Sequence, residues 1–190
     1  MARLRYAYDI DAETLSAADT QQKYRLRMEA IWAHCPDLAR VYDEFREGVA
    51  QHSQLPPRLS ELVRLRIAFH NQCRTCMTIR YQDAVDAGVT EDLVCSLESP
   101  ADAPDLSDAE RAALRLADLF ATDHLAVDGW LLDELREHFR EKEVLELLFL
   151  CARTVGFGRM AAVLAVYDDL PDDPDTTADG RFAPWGLSTR

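Results

Sequence analysis

The sequence predicts an all-α fold, and three observations carry that reading. Apolar residues recur at spacings of three and four in nearly every segment, and none alternates cleanly as a half-buried strand does. Segment ends carry helix start and stop signals. Hydrophobic residues make up 48% of the 190, with 7 glycines and 8 prolines, which suits one packed domain rather than a low-complexity chain.

Taken in order, residues 1–20 are polar and read as an N-terminal arm. From Gln21, "QQKYRLRMEAIWAH" sets Tyr24, Met28, Ile31 and Trp32 on one stripe, broken at Pro36. "PDLARVYDEFREGV" sets Leu38, Val41, Tyr42 and Phe45 on a second, ending at Gly48. "LPPRLSELVRLRIAFHN" is a denser helix, with Ser60 or Pro57 at its start. The next helix is expected from about Arg74 to Ala87, with Gly88 as C-cap. "VTEDLV" reads as a short helix capped by Thr90. Residues 96–105 cluster Pro, Ser and Asp and read as a linker. Ser107 with Glu110 forms a capping-box pattern that restarts the helices. "VDGWLLDELREHF" is a further helix. "REKEVLELLFLCARTVGFGRMAAVLAVYDDL" reads as two helices hinged near Gly156 and Gly158. Residues 171–190, with Trp185, read as a tail.

A weak echo links "ELVRLRIAFHNQ" to "EVLELLFLCART". The expectation is therefore one helical domain over 21–170 with two similar halves, about 21–95 and 107–170. "VLELLFLCA" is too apolar for a one-sided helix, so it is expected at the centre of the core or between subunits of a homo-oligomer. Trp32, Phe45 and Phe149 read as core aromatics.

The formal net charge of -13 disfavours nucleic acid, whose phosphates need a basic footprint, and disfavours anionic membrane surfaces. No stretch reads as a bilayer span and no apolar leader is visible, so a cytoplasmic location is expected. The 5 cysteines, Cys35, Cys73, Cys76, Cys95 and Cys151, are an odd set and a poor disulfide scaffold.

Cys73 and Cys76 stand apart from the rest. Residues three apart share a helix face, and a helix N-terminus favours a thiolate, the reactive form of cysteine. One thiol of such a pair can attack and the other resolve. Arg80, four beyond Cys76 on a continuous helix, would bring a cation near that sulfur. Glu61 reaches the pair only if its helix ends near Asn71 and the chain reverses; it would then serve as a proton shuttle. Phe69, Met77 and Tyr81, with His70, are candidates to line a substrate pocket, and Arg66 and Arg74 add positive charge. "HNQCRTC" offers three zinc-ligand types but no second pair completes a site, so neither metal nor cofactor is expected. His34, His52 and His138 read as surface or capping residues; His124, in "TDHLAVDGW", reads the same way, although a turn there can place it in a cleft.

The stretch "ELVRLRIAFHNQCRTCMTIRYQDAVDAGVTEDLV" resembles the carboxymuconolactone decarboxylase-like family, which includes the AhpD-like alkylhydroperoxidases. That family's pattern is a glutamate, eleven residues, a cysteine, two residues, a cysteine, three residues and a histidine. Glu61, Cys73 and Cys76 match it, and Arg80 stands where the histidine would be. The close match covers roughly residues 55–95. The resemblance implies an AhpD-like helical bundle that oligomerises. In the peroxidase branch Cys76 would attack the peroxide, Cys73 would resolve it and Glu61 would feed a proton relay. An arginine cannot act as a neutral base, so Glu61, water or His70 would have to carry the proton.

Three functions follow as expectations. The first is a dithiol peroxidase that takes small organic hydroperoxides and is restored by a dithiol protein or small thiol. The second is an enzyme acting on a small organic acid or lactone, with Arg80 as carboxylate clamp. The third is a non-catalytic redox sensor or structural helical oligomer.

Overall fold

In a computed structural model residues 2–168 are described, and they fold into helices with no strand among them. The elements are α1 (Ala12–Ala17), α2 (Thr20–Trp32), α3 (Pro36–His52), α4 (Pro57–His70), α5 (Arg74–Thr78), α6 (Gln82–Asp86), α7 (Glu91–Ser96), α8 (Asp108–Thr122), α9 (Gly129–His138) and α10 (Glu141–Leu164). A 3₁₀ turn at His124–Ala126 precedes α9, and His124 is exposed. The expected tail, with Trp185, lies outside the described residues.

Local chemistry explains most boundaries. Pro36 and Pro57 sit in the first turns of α3 and α4, where a missing N–H costs nothing. Thr90 caps α7, and Ser107 with Glu110 closes a capping box on α8. Asp19 and Gln22 do the same for α2. Gly88 takes a φ of +90° just beyond α6, a backbone state other residues resist. The N-terminal arm is partly helical and is tied down. The Arg3 N–H donates to the Leu164 carbonyl and the Ala7 N–H to that of Ala30, both at 2.9 Å.

α4 is the central element, packed against α8 on one side and α10 on another. One core joins Leu59, Val63 and Ile67 of α4 to Ala112, Ala113, Leu116 and Ala117 of α8; Leu131 and Leu135 of α9 and Leu147, Leu150 and Cys151 of α10 complete it. The run of alanines on α8 lets the helix axes approach closely. A second core sits under α6 and α7, from Leu62, Leu65, Ala84, Leu93, Val94, Leu97 and Leu114. Each fully buried leucine contributes about 1.5–3 kcal/mol relative to an exposed one. Arg58 ties the start of α4 to Glu110 at 2.6 Å. Burial pushes the Glu110 carboxyl up, but the bonds from Arg58 and Ser107 outweigh it and hold it below the usual range.

Several expectations are corrected. The helix expected over 74–87 is interrupted: Ile79 and Tyr81 are extended, so α5 and α6 are separate five-residue helices. The supposed linker contributes to the second core through Leu97 and Ala103. α10 runs without a hinge through Gly156 and Gly158. It is also, by length and composition, apolar enough to cross a bilayer, with an 18-residue stretch of mean hydropathy 1.6. Here its buried residues pack instead on α4 and α8. Phe45 and Phe149 are 42% and 49% exposed, not core. Trp32 does pack, at 4.9 Å from the Tyr42 ring, which lies 3.8 Å from Phe157 of α10.

Candidate functional site

The turn between α4 and α5 is built by helix termination. α4 ends in a Schellman arrangement: the Cys73 N–H donates to the Ala68 carbonyl at 3.1 Å and the Gln72 N–H to that of Phe69 at 2.9 Å. Gln72 takes the left-handed state this motif needs, at φ +52° without being glycine. The chain therefore reverses at Asn71–Gln72 and presents Cys73 as the residue that opens α5. The Cys76 N–H donates to Cys73 Sγ at 3.3 Å.

Cys73 and Cys76 are joined by a disulfide, with Cα atoms 5.2 Å apart. The two sulfurs differ in setting: Cys73 is 2% exposed and Cys76 half-buried. Among the described residues no three His, Cys, Asp or Glu side chains converge as a metal site.

Three anchors hold this turn. Asn71 donates to the Thr154 carbonyl of α10 at 2.9 Å and accepts from Arg159 at 3.2 Å. Gly158 makes that approach possible, because a Cβ there would collide with Asn71 Nδ2. Thr75, in the middle of α5, donates its hydroxyl to the Val166 carbonyl at 2.7 Å. The third anchor is Arg64. Its guanidinium grips both oxygens of Glu61, at 2.6 and 2.7 Å, and donates to the carbonyls of Cys76 (2.6 Å) and Ile79 (2.8 Å).

The residues singled out in the sequence fall as follows. Glu61 is 3% exposed and lies below α5, but it reaches the cysteine helix through Arg64. Arg80 lies beyond the end of α5, which removes the helical spacing to Cys76. Its guanidinium is bound by Glu91 at 2.8 Å and by the Met77 and Ile79 carbonyls. Met77 is buried, and Tyr81 is exposed with its ring 5.1 Å from the Arg64 guanidinium. Phe69 packs beside the second core. His70 bonds Asp118 at 2.7 Å, and Arg66 holds the same carboxylate. Burial pushes the Asp118 carboxyl up, yet the bonds from His70 and Arg66 prevail and keep it below its ordinary value.

Arg64, Asn71 and Asp118 were not legible as site residues. Arg64 had one signal: it stands three residues from Glu61, the spacing at which helix side chains meet.

A cleft of about 430 Å³ opens beside the turn, lined by Cys73, Arg3, Arg74, Arg159, Val163 and Tyr167 among others. Phe69, His70, Met77 and Tyr81 do not line it.

Several known proteins are similar to this chain over part of its length. An uncharacterized protein of Mycobacterium tuberculosis, Rv2313c, is 40% identical over 121 residues, which is 62% of this chain and 42% of that protein. The chain thus matches less than half the length of that relative. The uncharacterized protein YdfG of Bacillus subtilis is 24% identical over 119 residues, 62% of this chain and 81% of its own. A crystal structure from Agrobacterium tumefaciens, of a protein of unknown function whose name suggests AhpD-type antioxidant defence, superposes with a TM-score of 0.64. It is 20% identical and covers 70% of this chain and 92% of its own, a likeness of fold. The sequence pattern of the carboxymuconolactone decarboxylase family matches residues 36–119, the stretch that holds Glu61, Arg64, Cys73 and Cys76. Over that segment, less than half of its length, the chain is similar to the carboxymuconolactone decarboxylase family.

Proposed function

We propose that the chain is a dithiol peroxidase of the AhpD-like branch, reducing small organic hydroperoxides through Cys73 and Cys76. The observation that carries this reading is the disulfide itself: a half-buried sulfur joined to a buried one across a helix-opening turn. In the reduced protein the Cys76 thiolate attacks the distal peroxide oxygen. The O–O bond breaks, the alkoxide leaves and takes a proton from water, and Cys76 becomes a sulfenic acid. The Cys73 thiolate attacks that sulfur, hydroxide leaves as water after protonation, and the disulfide forms. A dithiol or two monothiols return two electrons and two protons.

Glu61 acts in this scheme as a positioning residue. Both its oxygens are occupied by Arg64, which in turn fixes the Cys76 carbonyl. The alternative of an organic acid clamped by Arg80 has less support, because Glu91 already occupies that guanidinium. The apolar stripe left open on α10, with Leu145 at 55%, Phe149 at 49% and Val163 at 61% exposure, supports a homo-oligomer that covers it.

Stopped-flow consumption of tert-butyl hydroperoxide by the pre-reduced chain tests the scheme. One equivalent should disappear as the Cys73–Cys76 disulfide returns, and Cys76→Ser should abolish the fast phase. A Cys76→Ser protein as fast as the parent would rule it out.

A further inference from the structure

α10 carries an apolar row that the other described residues leave open. An 18-residue stretch of this helix has a mean hydropathy of 1.6, yet only 22% of it is buried. A helix that apolar is normally enclosed on most sides. The open positions are Leu145, Phe149, Ala152, Gly156, Met160 and Val163. At 3.6 residues per turn these fall within about 80° of one another, a straight row along the helix. None is charged, and a Cβ placed on Gly156 meets nothing within 4 Å.

α3 widens the row into a face. Its exposed Leu38, Val41 and Phe45 recur at spacings of three and four. α3 runs antiparallel to α10: Tyr42 packs 3.8 Å from Phe157, and the Gln54 N–H, just past the end of α3, donates to Glu146 near the start of α10. Both rows stand about a quarter-turn from the Tyr42–Phe157 contact, and in an antiparallel pair those quarter-turns fall on the same side. A face two helices wide and about 27 Å long is on the order of 500 Å², the size at which an apolar patch marks an interaction site.

The order of side chains along α10 names the occupant. From either end the row runs large, large, small, small, large, large. It is centred on Thr154: Leu145 and Val163 lie nine residues to either side, Phe149 and Met160 five and six, Ala152 and Gly156 two. Such a row fits a copy of itself laid antiparallel across a two-fold axis, where every contact occurs twice. Phe149 then meets Met160 of the second copy and Leu145 meets Val163, while Ala152 and Gly156 let the helix axes approach at the centre. A lipid surface has no use for that symmetry, and the net charge of -13 opposes an anionic one. We propose that two copies of this chain pair through antiparallel α10 helices, with α3 of each on the flank. The proposal rests on the homo-oligomer read above and names its contact. It also brings the second copy to the redox site. Val163 lines the cleft beside Cys73, so Leu145 of the second copy stands at its rim.

Sedimentation velocity of the full chain should give an even number of copies. Phe149→Lys and, separately, Leu145→Lys place an ammonium group in the row and should weaken the association about tenfold or more. Leu125→Lys, at a residue that is 83% exposed in the turn before α9, should leave it unchanged. Orientation is read in a Cys35→Ser background with diamide as oxidant. Phe149→Cys combined with Met160→Cys should give a cross-linked dimer on a non-reducing gel. Either change alone should not, because like residues then lie too far apart for a disulfide. A full chain that sediments as a monomer would overturn both the homo-oligomer and this contact. A trimer, or an association indifferent to both lysine variants, would overturn the contact and leave the homo-oligomer standing. A dimer that cross-links through one substitution alone, or fails to cross-link through both, would overturn the antiparallel pairing.

Discussion

Replacing Arg64 with methionine should unsettle the protein more than any other single change at the site. The side chain is 12% exposed and its partner Glu61 3%. Methionine keeps most of the aliphatic volume and removes the guanidinium. Four hydrogen bonds go with it: two to Glu61, one to the Cys76 carbonyl and one to the Ile79 carbonyl. Removing one member of a buried ion pair leaves the other uncompensated and costs about 3–5 kcal/mol. The two carbonyls lie nearer solvent, and water replaces part of what they lose. For a domain of this size each kcal/mol lowers the melting temperature by about 2–4 °C, so a fall of roughly 6–20 °C is expected. A double-mutant cycle with Glu61→Gln isolates the pair. Because the double variant holds no orphaned charge, it should be more stable than Arg64→Met alone, with a coupling of about 2 kcal/mol or more. Urea unfolding of the four oxidised proteins at neutral pH supplies the numbers. A coupling below about 0.5 kcal/mol would refute the reasoning, because a pair worth so little is one that water reaches.

Three further outcomes follow from single contacts. Gly158→Ala places a methyl against Asn71 Nδ2 and should cost about 1–3 kcal/mol in urea unfolding, whereas Gly156→Ala on the same helix meets nothing and should stabilise by about 0.5–1 kcal/mol. Burial pushes the Cys151 thiol up to about 12, so iodoacetamide on the oxidised native protein at pH 8 should label exposed Cys35 and leave Cys151 intact, as read by mass spectrometry. The Asp118 carboxyl is held below its ordinary value in the fold, so its stabilising contribution is full above the unfolded carboxylate pKa of about 3.9 and is lost as pH falls through the lower folded value. Acid titration of stability should therefore be flatter for Asp118→Asn than for the parent in that window.

The sequence was most legible where a local rule decides the structure. Thr90, Ser107 with Glu110, and Gly88 act within one turn of themselves, and the structure uses each as its side chain or backbone dictates. Tertiary context decided the remainder. Gly156 and Gly158 look like a hinge until Asn71 is placed against α10; then Gly158 is a contact point inside a continuous helix. Residues 96–105 look like a linker by composition, yet Leu97 and Ala103 fill the floor of the second core. Arg80 looked like the cation of the site because a single helix was assumed through it. The extended backbone at Ile79 and Tyr81 turns it toward Glu91, and Arg64, one helix earlier, occupies the space beneath the cysteine turn.

The anchoring of the turn bears on whether the disulfide is a staple or a reagent. A disulfide stabilises chiefly by closing a loop in the unfolded chain, and the gain grows with loop length. Cys73 and Cys76 are separated by 3 in sequence, which limits that gain to about 2 kcal/mol, against about 3 kcal/mol for a fifteen-residue loop. The turn does not need even this. Asn71 on Thr154, Thr75 on Val166 and Arg64 on Glu61 all hold it through atoms other than the sulfurs. None of those contacts uses the S–S bond, so opening it is expected to keep the two Cα atoms near their 5.2 Å separation. Two thiols kept at that spacing by their surroundings re-form the bond as an intramolecular step, with little chain reorganisation. A link that contributes little to stability and is held ready to re-form fits the proposed redox role better than that of a staple.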